Sequence, residues 1–239
     1  MQSLTIRSQG ILLALVLCLT TPTLVLAGTL EGTVVYRGAV PKLPTVDMNA
    51  DPQCAARHDG TVTSSVLVLG SEANGGRTLG NVLVQITGRL PASPPASGTV
   101  VIDQVGCLYE PRLVGVQLGQ SLEVRNSDGL MHNVHFLPKQ NEEKNLAMPP
   151  FLKQVKVDFA KPEPAFPVKC DLHPWMKAWV AVLEHPYFAT TGPDGVFRIE
   201  GVPAGTYTAA AWHEKLGRVE SEVTVPADGS TTVNLVMSR

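Results

Sequence analysis

The sequence predicts an all-β protein. Glycine and proline supply 21 and 19 of its 239 residues, and aromatic residues only 5%, a composition typical of short strands joined by tight turns. No segment shows a sustained helical periodicity of apolar residues. With 17% charged residues and a formal net charge of -2, the chain is neither a nucleic-acid binder with a basic surface nor a disordered acidic protein.

The first 27 residues have the features of a cleaved secretory signal peptide. Arg7 is their only charged residue, an unbroken apolar run covers residues 11–19, and Val25 and Ala27 precede a cleavage site before Gly28. A membrane anchor is the alternative, but the run is far shorter than the roughly 20 apolar residues that span a bilayer. We therefore expect an exported, periplasmic mature chain without a membrane span.

The mature chain reads as a series of short strands. The segment 44–77 is poor in pattern, whereas residues 90–98 and 138–150 are expected to be loops because they are rich in proline or polar residues. Predicted strands cover residues 28–41, 81–88, 100–105, 113–118, 121–126, 131–136, 155–159, 166–170, 177–184, 196–199, 206–212, 218–225 and 231–237. Strands at such regular turn spacing favour a sandwich or barrel.

Two of these strands carry candidate metal ligands. Because side chains alternate along a strand, His132 shares its face with Val134 and Phe136, and Cys170 shares its face with Phe166 and Val168. Both donors therefore point into the apolar interior.

Two further donors, His173 and Met176, follow Cys170 at intervals of three residues. One thiolate, two imidazoles and a thioether form the donor set of a blue-copper electron-transfer site, whereas zinc gains little from methionine. Each residue taken alone could simply be part of the core. The four together predict one type 1 copper site.

The stretch 100–184 resembles a cupredoxin, and most of all the amicyanin-type copper proteins, in its ligand loop CDLHPWM and its closing strand VAVLE. The resemblance implies a Greek-key β-sandwich in which His132, Cys170 and His173 ligate copper and Met176 is the axial ligand. It also implies that Asn133 hydrogen-bonds toward the ligand loop and holds it rigid.

The segments on either side of this stretch predict a second small β-sandwich. The sequence DGVFRIEGVPAGTYTAAAW resembles the carboxypeptidase regulatory-like or transthyretin-like sandwich. We divide the chain into a signal peptide (1–27), an N-terminal β segment (28–97), a cupredoxin domain (98–185) and this sandwich (186–239). Because residues 186–239 are few for a sandwich, we hypothesise that strands from 28–97 complete it.

The closing strand 177–184 is apolar on both faces, which is expected at a domain junction.

The mature chain contains three cysteines, an odd number for an exported protein. With Cys170 assigned to the metal, Cys54 and Cys107 remain to form a disulfide; two free buried thiols are the alternative.

Other polar residues leave alternatives open. His135, His185 and His213 could form an outer metal site with Glu214, or serve only surface and packing roles. Trp175, with Pro174, could be a docking residue for a partner or merely the lid of the copper site.

Together these observations predict an exported copper protein that carries single electrons between periplasmic redox partners. Copper storage or delivery, or a non-redox interaction module, are the alternative functions. A multicopper oxidase would need His-x-His motifs, which the sequence lacks, so we do not expect an enzyme.

Overall fold

A computed structural model describes residues 27–91, 93 and 95–239. The described chain contains 21 strands and a single four-residue helix, which confirms the all-β prediction. The predicted signal peptide lies outside the described residues except for Ala27, where the first strand begins. In the described part of the chain, no helix is both long and apolar enough to cross a membrane.

Two sheets formed by the middle of the chain pack face to face and enclose one hydrophobic core. We call this pair of sheets the first sandwich. The four-stranded sheet has the order β13-β10-β7-β8, with bounds Gln154–Val157, Ser121–Asn126, Thr99–Val105 and Leu108–Glu110. The five-stranded sheet has the order β12-β11-β14-β15-β9, with bounds Lys144–Met148, His132–Phe136, Glu163–Lys169, Lys177–Leu183 and Leu113–Gln117. Pairs β7·β10 and β9·β15 are parallel, so the chain crosses between sheets rather than following a simple meander.

Both ends of the chain contribute to a second pair of sheets, which enclose a separate core. One sheet contains β1 (Ala27–Arg37), β4 (Leu69–Ala73), β5 (Gly76–Leu79), β17 (Val196–Pro203), β20 (Ser230–Thr232) and β21 (Leu235–Ser238). The other contains β6 (Leu83–Thr87), β16 (Phe188–Thr190), β18 (Gly205–His213) and β19 (Gly217–Val225). Strand β1 pairs with β17, β20 and β21, and β6 pairs with β16 and β18. The hypothesis that strands from residues 28–97 complete the C-terminal sandwich requires pairings of this kind.

Strand β15 is covered on both faces, as its apolar sequence predicts. Ala178, Val180 and Val182 lie in the core of the first sandwich. On the opposite face, Ala181 and Leu183 pack in a small cluster with residues of β6 and β9. Beside this cluster the rings of Trp179 and Trp212 meet edge to face, with centroids 5.2 Å apart. The two pairs of sheets therefore share an apolar contact along β15.

The structure has strands in two segments where the sequence predicts none. The expected loop 138–150 contains β12. The pattern-poor segment 44–77 contains β2 (Thr45–Val46), α1 (Pro52–Ala55), β3 (Val62–Thr63), β4 and the start of β5. Strands β4, β8, β12 and β16, all missed from the sequence, end their sheets. Edge strands are partly solvated, so their apolar alternation is weak. The β4–β5 turn did carry a signal, because Asn74 and Gly75 both have the positive φ that two-residue hairpin turns require.

Candidate metal centre

The four predicted ligands lie at one end of the first sandwich. His132 is the first residue of β11, and Cys170 directly follows β14, its antiparallel neighbour. The loop from Cys170 to Met176 is kept short by two backbone hydrogen bonds, from Cys170 N–H to Met176 O and from Met176 N–H to His173 O. All four side chains are buried, His173 being the most exposed at 4%.

Three donor atoms converge inside this end of the sandwich. The Nδ1 atoms of His132 and His173 are 2.9 Å apart, and Cys170 Sγ is 3.6 Å from His173 Nδ1. Met176 is buried in the same core. Two imidazole nitrogens and a soft thiolate beside a thioether fit a copper ion better than a hard cation, which prefers oxygen donors. The buried side chains therefore bring together the donor set that the sequence predicts.

The outer nitrogen of each imidazole, Nε2, is hydrogen-bonded to a carboxylate. Asp128 Oδ2 lies 3.0 Å from His132 Nε2, and Asp51 Oδ2 lies 3.0 Å from His173 Nε2. Because a carboxylate holds the Nε2–H of each ring, both Nδ1 atoms face the centre and are the nitrogens available to a metal. Sequence reasoning missed both aspartates. Asp51 is 122 residues from His173, and no local pattern could have revealed that contact.

Electrostatics in the metal-free centre favour an imidazolium next to a thiolate. Burial alone would lower the pKa of His132, but Asp128 and Cys170 raise it to about 9. Burial would raise the pKa of the Cys170 thiol, but hydrogen bonds from His132 and from the backbone lower it to about 7. The proton on His132 Nδ1 therefore occupies the space between the donor atoms. A metal cation that binds there has to replace it.

Asn133 joins β11 to the ligand loop, as the cupredoxin resemblance implies. Its Oδ1 accepts a hydrogen bond from Asp171 N at 2.7 Å, and its Nδ2 donates to Asp171 Oδ2 at 3.0 Å. The Asp171 carboxylate also accepts from His135 and Asn145. Hydrogen bonds from Lys169 and these groups hold the pKa of Asp171 far below its usual value. The start of the ligand loop is thus fixed by a charged network.

A cap from the N-terminal segment, residues 47–58, covers the outer side of the centre. Asp51 is the N-cap of α1, and Cys54 within α1 forms a disulfide with Cys107, as the cysteine count predicts. The indole N–H of Trp175 donates to Cys107 O at 3.1 Å, which leaves Trp175 half-buried. Asp128 accepts hydrogen bonds from Gly106 N and Cys107 N. The Cys54–Cys107 disulfide is thus linked by hydrogen bonds to the Trp175 indole and to both carboxylates, and these groups surround the two imidazoles.

The outer edge of the His173 imidazole is covered in this structure. Asp51 Oδ2 contacts its Nε2 atom, and the ring of Trp175 packs beside it. Of the two proposed docking residues, Pro174 is exposed, whereas Trp175 packs against His173 with ring centroids 5.2 Å apart. Trp175 therefore covers His173 in this structure, and its contact with a partner stays a prediction.

The other histidines do not come together among the described residues. His135 bonds Asp171 and Glu143, His185 stacks on Tyr187, and burial lowers the pKa of His213 to about 4. Glu214 instead pairs with Arg112. Within the described chain, none of the potential metal-binding clusters includes any of these histidines.

Comparisons with known proteins agree with part of this picture. Residues 174–238 match the family model of the carboxypeptidase regulatory-like domain, as the sequence of the C-terminal strands predicts. The match begins inside the ligand loop, twelve residues before the predicted boundary at residue 186. No curated protein matches the chain.

Solved structures of copper proteins are among the matches. A Cu(I) mutant of amicyanin is 24% identical, over 41% of this chain and 97% of amicyanin, with a TM-score of 0.31. An oxidised amicyanin mutant is 23% identical over the same shares, with a TM-score of 0.32. A copper-containing nitrite reductase from Thermus scotoductus SA-01 is 17% identical over 63% of this chain and 28% of its own, with a TM-score of 0.32. Because these TM-scores are low, the side-chain geometry alone supports the assignment of the centre.

Replacing both Cys54 and Cys107 by serine is expected to lower the free energy of unfolding by about 2–4 kcal/mol, because the disulfide restricts the unfolded chain. Urea unfolding of the metal-free proteins measures the difference. Cys170→Ser, which removes a thiol but no crosslink, is the control and should cost less. Peptide mapping that found Cys170 in a disulfide would contradict both this bridge and the metal centre.

Proposed function

We propose that this protein is an exported type 1 copper protein that carries single electrons between redox partners. The observation that supports the proposal most is the convergence of His132 Nδ1, His173 Nδ1 and Cys170 Sγ in a buried space beside Met176. These residues would hold one copper ion, with the Met176 thioether as a further soft donor. Copper, when bound, supplies the one-electron couple.

The protein's own residues supply rigidity. Backbone hydrogen bonds shorten the ligand loop, Asn133 joins it to β11, and the two aspartates orient the imidazoles. Donors held in this way would move little between the two charges of a bound ion, which reduces the structural change on electron transfer. The cap also excludes water and substrates from the centre, which favours a carrier over an enzyme.

Export to the periplasm is part of the proposal. Its support is the apolar N-terminal segment in the sequence and the Cys54–Cys107 disulfide, since disulfides persist in oxidising compartments.

The surface for partner contact is proposed to lie beside the ligands. Met131 and Leu172, the chain neighbours of His132 and His173, are large apolar residues exposed to 46% and 53%. Pro174, also exposed, follows His173. A small apolar surface excludes water from a transient contact without the buried area that would slow release. Partners are therefore expected to approach this end of the first sandwich, alongside Trp175.

The copper(II) protein is expected to show an intense thiolate-to-copper visible band and a narrow hyperfine splitting in electron paramagnetic resonance, because a thiolate and two imidazoles surround the ion. Cys170→Ser should abolish the band. His185→Ala, in the bend between β15 and β16 and stacked on Tyr187 of the second core, should leave it intact. A weak, tetragonal copper spectrum from the wild-type protein would instead favour copper storage or delivery.

Copper binding is expected to release more protons as the pH falls. Since the pKa of Cys170 is about 7 and that of His132 about 9 in the metal-free protein, copper(II) should displace more protons at pH 6, where the thiol still holds its proton, than at pH 8. The apparent affinity should therefore rise with pH. Calorimetric titration in buffers of different ionisation enthalpy counts the protons. Equal release at both pH values would contradict the imidazolium–thiolate pair.

Leu172→Lys is expected to slow electron self-exchange by about tenfold, or about 1.4 kcal/mol in activation free energy, because it places a charge on the apolar contact surface. Val196→Lys is the matched control, since Val196 is 51% exposed but lies on β17. Line broadening in mixtures of oxidised and reduced protein measures the rate. Equal rates in both variants would argue against contact at Leu172.

A further inference from the structure

We propose that Asp51, a residue of the cap outside the copper-binding sandwich, is a positioning residue of the centre that holds His173 in place for the metal. The inference rests on the proposed function, because it assigns Asp51 a role toward the same metal. Of the four predicted ligands, His173 is the most exposed.

The two oxygens of Asp51 make different contacts. Oδ1 accepts hydrogen bonds from Gln53 N at 2.9 Å and from Cys54 N at 3.4 Å, which caps α1. Oδ2 lies 3.0 Å from His173 Nε2. Capping is therefore separable from ring binding, because serine can also cap a helix but cannot reach the ring with a second oxygen.

The cap that carries Asp51 is anchored on both sides. The disulfide joins Cys54, three residues after Asp51, to Cys107 in the turn between β7 and β8. Trp175, two residues after His173, donates to the carbonyl of that same Cys107. The carboxylate and the ligand loop are thus held against a common point, so that Asp51 Oδ2 is in place before any metal binds.

Two consequences follow for His173. Donation of its Nε2–H to Asp51 leaves the Nδ1 lone pair facing His132 Nδ1 and Cys170 Sγ. A carboxylate partner also raises the basicity of a ligating imidazole, and loss of such a partner lowers metal affinity by about 10–100-fold. Because the His173 side chain is only 5% exposed, solvent has little access to its Nε2 proton.

The matching contact on the other histidine supports this role. Asp128 binds His132 Nε2 while accepting the backbone N–H of Cys107. Asp51 binds His173 Nε2 while accepting the backbone N–H of Cys54. Each half of the disulfide thus fixes one carboxylate on one imidazole. Asp128 is fully buried and carries turn contacts, so Asp51 is the member of the pair that can be varied without opening the core.

The test compares Asp51→Ser with Asp47→Ser. Asp47 lies on the same cap and is exposed, and its side chain accepts only a local hydrogen bond from Asn49 N among its described contacts. Zinc(II), which is redox-silent, is titrated into each metal-free protein in competition with a chromophoric chelator. The Nε2–H resonance of His173 is then followed by proton NMR in the zinc-loaded proteins, and urea unfolding of the metal-free proteins reports stability.

We expect Asp51→Ser to lose about 10–100-fold in zinc affinity and to lose the slowly exchanging Nε2–H resonance, while Asp47→Ser matches wild type in both. Wild-type affinity and a retained resonance in Asp51→Ser would show that Asp51 only caps α1 and would overturn the proposal. If Asp51→Ser does not fold, Asp51→Asn, which keeps both the cap and the shape, is measured in its place against the same outcomes. Absence of a thiolate-to-copper band in wild type would defeat the copper function, whereas the zinc and NMR results would still decide the role of Asp51.

Discussion

The centre depends on one constraint: two imidazoles and a thiolate are brought together out of water, and each must keep a partner. Burying polar and charged groups without partners is costly. Here Asp128 and Asp51 each accept a hydrogen bond from the Nε2 atom of one histidine, and the thiolate of Cys170 faces both rings. Because the carboxylates hold the outer nitrogens, the inner nitrogens face each other and the sulfur. The geometry of the donors follows from how the outer sides of the rings are satisfied.

The scaffold meets this constraint with parts that are remote in sequence. Antiparallel strands β11 and β14 place His132 opposite the start of the ligand loop, and Asn133 fastens that loop at Asp171. The second carboxylate comes from the N-terminal segment, which the disulfide holds against the turn before β8. A covalent crosslink is well suited to this task, since α1 has only four residues and little packing of its own.

The two pairs of sheets contact each other through strand β15 of the first sandwich. Strand β15, which closes the ligand loop, contacts the first core with one face and a small cluster next to β6 and β9 with the other. Strand β1 lies between strands from the C-terminal end of the chain. The N-terminal segment therefore serves twice, first in the sheet of the second core and then as the cap of the centre. A change in its path would affect both.

The sequence alone determined the strand class, the inward face of His132 and Cys170, the spacing of the ligand loop and the pairing of Cys54 with Cys107. These features depend on local alternation, short-range spacing and the count of one residue type. Strands at sheet edges, such as β12, were not predicted, because partial solvation weakens the alternation of apolar and polar residues along them. Asp51 and the cover over His173 were decided only by tertiary structure. A hydrogen bond between residues 122 positions apart leaves no periodic trace in the sequence, because it depends on how whole segments pack.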